Sequence, residues 1–508
     1  MMGFRVRVLV LVGLLVVMLA SVSALGQATP RAVERGLRPG WAPAGFEGWA
    51  ISDRMAHHGV AGVQIAVIEN GQVAWTRGYG VADRERGGEV TTGTLFQIGH
   101  LSMPISAALA IVMDREGVID LDASANEQMR GWRIRTGIGE GADEVTLRPL
   151  LSHTGGLTQV SFAGVSGTEL VPRLIDELEG RPPASNPPVR QVRRPGNWSF
   201  SAGGYAALQR AISDTSGRAF ERELRERVLD PLGMARTTHW MGPAGTSPAG
   251  SARGHVASDP NVPGSDWFDG DARVYAATAA VGLWSTAGEY AAFAGEVLRA
   301  MRGQSGRLMD AEAADGMRCL VSRNVVPLDR HRPSQDDWIV GWAEGFAVWR
   351  RPGREEDDES AVYLVHRGQT PGFSVLVVLH PATGGGVVAL ANQMEAEGLL
   401  WEIAHSVARL AKWEGFERDD LHDAEVRLRD FEEAQEVRVV ASFTGFDLRA
   451  IPCERGLDGT WSARFAVPPG TYQYLFWVDG ELVPDIRNPM SETAPDGTIY
   501  SRLVVPQR

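Results

Sequence analysis

Apolar and polar residues alternate over Val63–Ile68 and again over Val73–Tyr79. Glu69-Asn70-Gly71-Gln72 lies between them and carries the Asn-Gly signal of a tight turn, so the pattern predicts a β-hairpin. The period then lengthens. Ile105, Leu109, Val112 and Met113 recur at helical spacing as far as Glu116-Gly117, where the glycine suits a C-terminal cap. From about Asp122 to Arg299 the chain reads as helical and loop-rich. Strand patterns return in WAEGFAVWR, SAVYLVHRG, FSVLVVLHP and GGVVALANQ, and a closing helix is predicted over Leu399–Trp413. Strands at both ends with helices between them imply one antiparallel sheet assembled from the two ends, with the helical insert on one side.

The next stretch, EGFERDDLHDAEVRLRDFEEAQE, is dense in charge and reads as a linker or a solvated helix. Beyond it VRVVASF, TWSARFAV, TYQYLFWVDG and YSRLVV are strand-like, punctuated by Pro468-Pro469-Gly470 and Asp479-Gly480. A separate small antiparallel sandwich is the economical reading. The expected fold class is therefore α/β of the α+β kind, an antiparallel sheet flanked by helices, followed by an all-β immunoglobulin-like sandwich. A length of 508 residues accommodates this, with boundaries expected at 1–26, 27–413, 414–432 (linker) and 433–508.

The first residues add a targeting segment to that plan. Arg5 and Arg7 precede an apolar run from Val8 to about Ala20 and small residues around Ala24 to Ala28, the order of a secretory signal peptide cleaved near Gly26–Gln27. The run is short of the roughly 20 residues that span a bilayer. The expected location is thus secreted or periplasmic, with no membrane span after cleavage. A formal net charge of -13 excludes a nucleic-acid partner held by counterion release, which needs clustered Lys and Arg. Nearly all the cations are arginine, and Lys412 is the single lysine. Cys319 and Cys453 fall in different expected domains and are read as unpaired thiols.

The chain from about Gly45 to Trp413 resembles the serine beta-lactamase-related family, on the side of class C beta-lactamases, DD-peptidases and esterases. The resemblance rests on LFQIGHLS, EGVIDLD, LRPLLSHTGGL, PGNWSFSAGGYAAL, LDPLGMARTT, VGLWSTAGEYAAF, VHRGQTPGF and GGVVALANQ, in that order. It implies a site made of four parts. A serine opens a helix and attacks an acyl carbon, and a lysine one turn later takes its proton. A Tyr-x-Asn motif handles the leaving group, and a strand with Lys-Thr-Gly or His-x-Gly lines the far wall beside backbone oxyanion donors.

The matching positions hold other residues. His100 stands at the nucleophile and Met103 at the lysine, while Phe200-Ser201-Ala202 replaces Tyr-x-Asn. His366-Arg367-Gly368 keeps the third motif, and His100 and Gln369 mark the oxyanion-hole amides. Ser102 lies about 200° around a helix from His100, and neither it nor Ser106 has a lysine in reach. His100, Ser102, Ser201, His366, Arg367 and Gln369 are the ligand-pocket candidates. No cofactor is implied, and His100 with His366 lacks a third ligand for a metal. His153 occupies a position the family uses structurally, and the pair His57-His58 reads as surface.

The C-terminal stretch resembles the glycogen- and starch-binding early-set sandwich of the AMP-activated kinase beta subunit, through ASFTGF, DGTWSARFAVPPGTYQYLFWVDG and PDIRNP. Sugar binding there rests on aromatic platforms. Here the corresponding positions are Phe446 and Leu482, with Leu475 for a lysine, leaving Phe446 and Trp477 as carbohydrate candidates. The expectation is an exported pseudoenzyme that binds or scaffolds, with a small-molecule, peptide or cell-wall-like ligand. The alternatives are a divergent serine hydrolase with a relocated base, His100 or His366 serving Ser201 or Ser102, and a polysaccharide-binding protein.

Overall fold

The computed structural model describes residues 28–506 except 39–41, 44–47, 137–143, 167–168, 241, 244–245, 257–271, 305, 323–337, 352–353, 355–357, 417–421, 445, 447–450, 468–469 and 495–496. The expected signal segment lies outside the described residues. The chain divides into two compact units, Ser52–Val407 and Met1–Ile51 with Ala408–Arg508.

The larger unit is organised on one sheet. Its strands are β1 (Gly62–Glu69), β2 (Gln72–Gly80), β3 (Ile339–Trp342), β4 (Ala347–Arg350), β5 (Val362–Thr370), β6 (Phe373–His380) and β7 (Gly385–Ala391). They run in the order β2-β1-β7-β6-β5-β4-β3, and every neighbouring pair is antiparallel. The expected hairpin is present, with Asn70 at φ 51° and Gly71 at φ 71°, the two left-handed residues that a tight two-residue loop requires. The first strand pairs with the last, Val63 opposite Ala391, so the sheet closes from the two ends of the unit. Strands β6 and β7 are buried along their whole length, which is why they read as unbroken apolar runs rather than alternating ones.

Four longer helices complete the unit: α1 (Ser102–Arg115), α2 (Ala202–Ser216), α3 (Ala287–Met301) and α4 (Glu397–Leu410). Helix α3 packs across β1, β2 and β7. Helix α1 is buried on every side from Ser102 to Met113, so its sequence is apolar all round and carries little amphipathic signal. It ends where expected, at Glu116 before Gly117, whose φ is 69°. Helix α2 starts at Ser201, whose Oγ accepts from the Gly204 amide at 2.9 Å, and ends at the left-handed Gly217.

The smaller unit contains β8 (His422–Leu428), β9 (Val437–Ala441), β10 (Trp461–Val467), β11 (Gly470–Val478) and β12 (Ile499–Val505). Strand β10 pairs with β8 and with the short strand Ala42–Pro43, and β11 lies between β9 and β12. Val426, Leu428, Phe465 and Val467 of one sheet share a core with Val439, Tyr474 and Phe476 of the other. Strand β8 lies within the stretch read as a linker or solvated helix. Its inward residues are Val426 and Leu428, while Glu425 pairs outside with Arg427 at 2.7 Å and Arg464 at 3.2 Å. The outward charges masked a half-buried strand. Cys319 and Cys453 are free thiols. Among the described residues no helix is long and apolar enough to cross a membrane.

One buried polar contact ties the segment before β1 to α4. Arg54 grips Glu402 with two guanidinium bonds, 2.7 and 2.6 Å, and His58 Nε2 lies 2.9 Å from the same carboxylate. His58 is therefore half-buried and engaged, unlike the surface residue expected, while His57 is exposed. Removing one partner of such a pair strands the other charge. Glu402→Ala is expected to lower the free energy of unfolding by about 3–5 kcal/mol, measured by urea titration. A loss below about 1 kcal/mol would equate the contact with an exposed ion pair.

Candidate functional site

Helix α1 is preceded by a tight turn, Gly99–Leu101, and β5 runs directly beside it. A Cβ on Gly368 would lie 2.8 Å from His100 N and 2.8 Å from Ile98 O, both backbone atoms, so only glycine permits this approach. His100 and His366 sit on the resulting seam. Two further segments converge there: Phe200, just before α2, and His153, held at φ 57° after the short helix Arg148–Leu151.

The rings form one cluster. Phe200 lies 5.3 Å from His100 and 4.3 Å from His153, centroid to centroid. Trp342, at the end of β3, lies 4.8 Å from His153, 5.8 Å from Phe200 and 5.5 Å from His366. Trp198 flanks Trp342 at 5.9 Å, and Phe346 lies 6.4 Å from His366.

This surrounding strips water from the imidazoles and disfavours their charged forms. Burial lowers His100 to about 4 and lowers His366 to about 3, the latter helped by its proximity to His100. His153 is driven well below its usual value by burial and then by His366 and His100. All three are neutral at pH 7. His366 Nδ1 lies 3.0 Å from the Arg367 carbonyl, which assigns its proton to Nδ1 and leaves Nε2 an acceptor. His153 Nδ1 accepts from the Ser201 amide at 3.1 Å, so its proton is on Nε2. Among the described residues the Nε2 atoms of His100, His153 and His366 and the Nε1 atoms of Trp198 and Trp342 are buried without a hydrogen-bond partner. The cluster thus presents indole and imidazole donors and one imidazole acceptor with no net charge. That set suits a small uncharged polar group. Among the described residues no group of three or more His, Cys, Asp or Glu is arranged for a metal ion.

The other sequence-selected residues fall into two sets. Met103 and Ala202 are fully buried in the apolar core, so the lysine and asparagine positions are filled by hydrocarbon. Ser102 Oγ donates to Gly99 O at 2.7 Å and accepts from Leu283 N at 3.3 Å, and Ser106 Oγ donates to backbone carbonyls. Ser201 Oγ donates to Thr158 O at 2.9 Å. By strand alternation Arg367 and Gln369 face away from the side that carries His366 and Gly368. Arg367 pairs there with Glu397, and Gln369 Nε2 donates to Met394 O at 2.6 Å. The aromatic residues Trp198, Trp342 and Phe346 were not singled out by their sequence, because nothing local distinguishes a site tryptophan from a packing one. In the smaller unit Phe446 is exposed at φ 59° with its ring 5.4 Å from Tyr500. Trp477 is half-buried under the Arg438 guanidinium and opposite Leu482.

The depressed histidines make stability depend on pH. His100 titrates near 4 when folded against an ordinary 6.5, so the unfolded chain binds its proton first. Its contribution is fully present above about 6.5 and is lost as the pH falls toward about 4. His100→Gln is expected to remove about one proton from the uptake on unfolding across this window, flattening the pH dependence of the urea midpoint. An unchanged slope would contradict a buried neutral imidazole.

A family model described as Beta-lactamase matches residues 50–409. The chain is 27% identical over 353 residues to Penicillin-binding protein 4 of Amycolatopsis lactamdurans, covering 66% of this chain and 83% of that protein. It is 28% identical over 187 residues to a beta-lactamase of Pseudomonas fluorescens, covering 37% of this chain and 48% of that protein. To Esterase EstB of Burkholderia gladioli it is 25% identical over 183 residues, covering 34% and 46%. The matches to these last two span less than half of each relative. Among solved structures, an octameric penicillin-binding protein homologue from Pyrococcus abyssi superposes with a TM-score of 0.58 at 19% identity, over 85% of this chain and 93% of that one. The D-alanine carboxypeptidase AmpC from Burkholderia cenocepacia gives 0.50 at 19% identity, over 71% and 96%. These likenesses speak to fold, and the family model takes in the whole sheet with α1 and β5: the chain belongs to the beta-lactamase family.

Proposed function

We propose that this protein is an exported member of the family that has lost serine acyl transfer and uses the former catalytic cleft to bind a small molecule without reacting with it. The observation that carries the reading is the identity and environment of His100. An uncharged, part-buried imidazole occupies the nucleophile position, and the lysine position three residues on is a buried methionine. A serine hydroxyl has a pKa far above neutral and attacks only with a base beside it. The hydroxyls of Ser102 and Ser201 instead point their protons at the carbonyls of Gly99 and Thr158, and among the described residues no histidine is bonded to either oxygen. A relocated Ser–His pair is therefore the weaker reading.

The unpartnered nitrogens support retained binding, because buried donors and acceptors left without partners are costly. Two indole N–H groups, the His153 Nε2–H and the His366 Nε2 suit the carbonyl and N–H of an amide, or the carbonyl of an ester. The relatives named as penicillin-binding protein and esterase support small amides and esters, cell-wall-like peptides among them, as the ligand class we assign. Export is supported by Arg5, Arg7 and the apolar run after them.

The purified protein is expected to leave a chromogenic cephalosporin and a p-nitrophenyl ester unhydrolysed. Turnover abolished by Ser102→Ala or Ser201→Ala would overturn the reading. His100→Ser combined with Met103→Lys restores two groups at helical spacing, yet is expected to give no turnover, since Phe200 and Ala202 leave the proton relay incomplete. Robust hydrolysis by that double variant would make the phenol position dispensable.

A further inference from the structure

A pocket of about 230 Å³ opens on the helical part of the larger unit. Its floor is apolar: Trp132, Leu178 and Val189 line it and all are buried. Its rim carries Arg135 and Arg190, both exposed, and Arg181 beside Glu179. Two short strands, Arg135–Thr136 and Arg190–Gln191, pair in parallel here with Arg135 directly opposite Arg190. Side chains at opposed positions project to the same side of a sheet, and like charges so placed repel.

Among the described residues the nearby acids are engaged by other arginines. Glu179 is held by Arg181 at 2.8 Å, and Asp176 by Arg173 at 2.9 Å and Arg181 at 3.5 Å. Among the described residues neither Arg135 nor Arg190 has an ion-pair partner, in a chain whose net charge is -13. Two arginines and a tryptophan lining one small pocket suit a planar or tetrahedral oxyanion carried on an apolar body. The volume is below the roughly 300–1,000 Å³ of drug-sized sites, so the body is no larger than a single ring or a short chain.

We propose that this pocket binds a compact organic anion, its oxyanion bridging Arg135 and Arg190 and its apolar part resting on Trp132. The site is independent of the histidine cluster and stands whether or not the protein hydrolyses anything. An aryl carboxylate and an aryl phosphate share this chemistry, and the experiment separates them.

Isothermal titration of the full-length protein with benzoate and with phenyl phosphate, at fixed ionic strength and beside benzyl alcohol, tests the proposal. At least one anion is expected to bind, at least tenfold more weakly in the double variant Arg135→Gln, Arg190→Gln, with benzyl alcohol not binding measurably. Tighter binding of benzoate would assign a carboxylate ligand, and tighter binding of phenyl phosphate a phosphoryl one. Absence of binding by both anions, equal affinity in the double variant, or equal affinity for benzyl alcohol would each overturn it. Both arginines are exposed, so the ligand-free double variant is expected to fold with a urea midpoint at or above that of the wild type, because a repulsion has been removed. A clearly lower midpoint would contradict the uncompensated charge on which the proposal rests.

Discussion

The contact on which the site depends is a backbone meeting a backbone. The turn before α1 and strand β5 come so close at Gly368 that a single added carbon would strike His100 N and Ile98 O. Gly99 repeats the arrangement from the other side, where a Cβ would meet the Gln369 amide at 3.2 Å. A main-chain approach of this kind survives changes in the side chains around it. The seam between the turn and β5 therefore holds whichever side chain stands at position 100, and here it carries an imidazole.

Around that seam, aromatic and aliphatic side chains fill the space. Phe200 turns its ring onto His100 and His153, Met103 disappears into the core of α1, and Trp342 closes over His153 and His366. Dehydration keeps the imidazoles neutral, and neutrality is what lets three of them share one small volume. Among the described residues the same burial leaves several of the cluster's nitrogens without hydrogen-bond partners.

Much of the fold was legible in the chain because its signals are local. The Asn70-Gly71 turn, the full-length apolar runs of β6 and β7 and the glycine after α1 each state their conformation within a few residues. Strand β8 was not, since Glu425 and Arg427 supplied the charge of a linker while Val426 and Leu428 faced the core. His58 was misjudged for a related reason: its partner Glu402 lies 344 residues away. At the site, motif order identified His100, Phe200 and His366 as neighbours. Trp198 and Trp342 escaped notice because only the tertiary fold brings them beside those residues.

The central claim is that no activated nucleophile remains in this cleft, and intact mass measures that most directly. The mature protein would be incubated separately with a serine-reactive fluorophosphonate and with a penicillin, each beside an untreated control. The account predicts an unchanged mass in both cases. A stoichiometric adduct would contradict it, and the modified peptide would identify the reacting nucleophile.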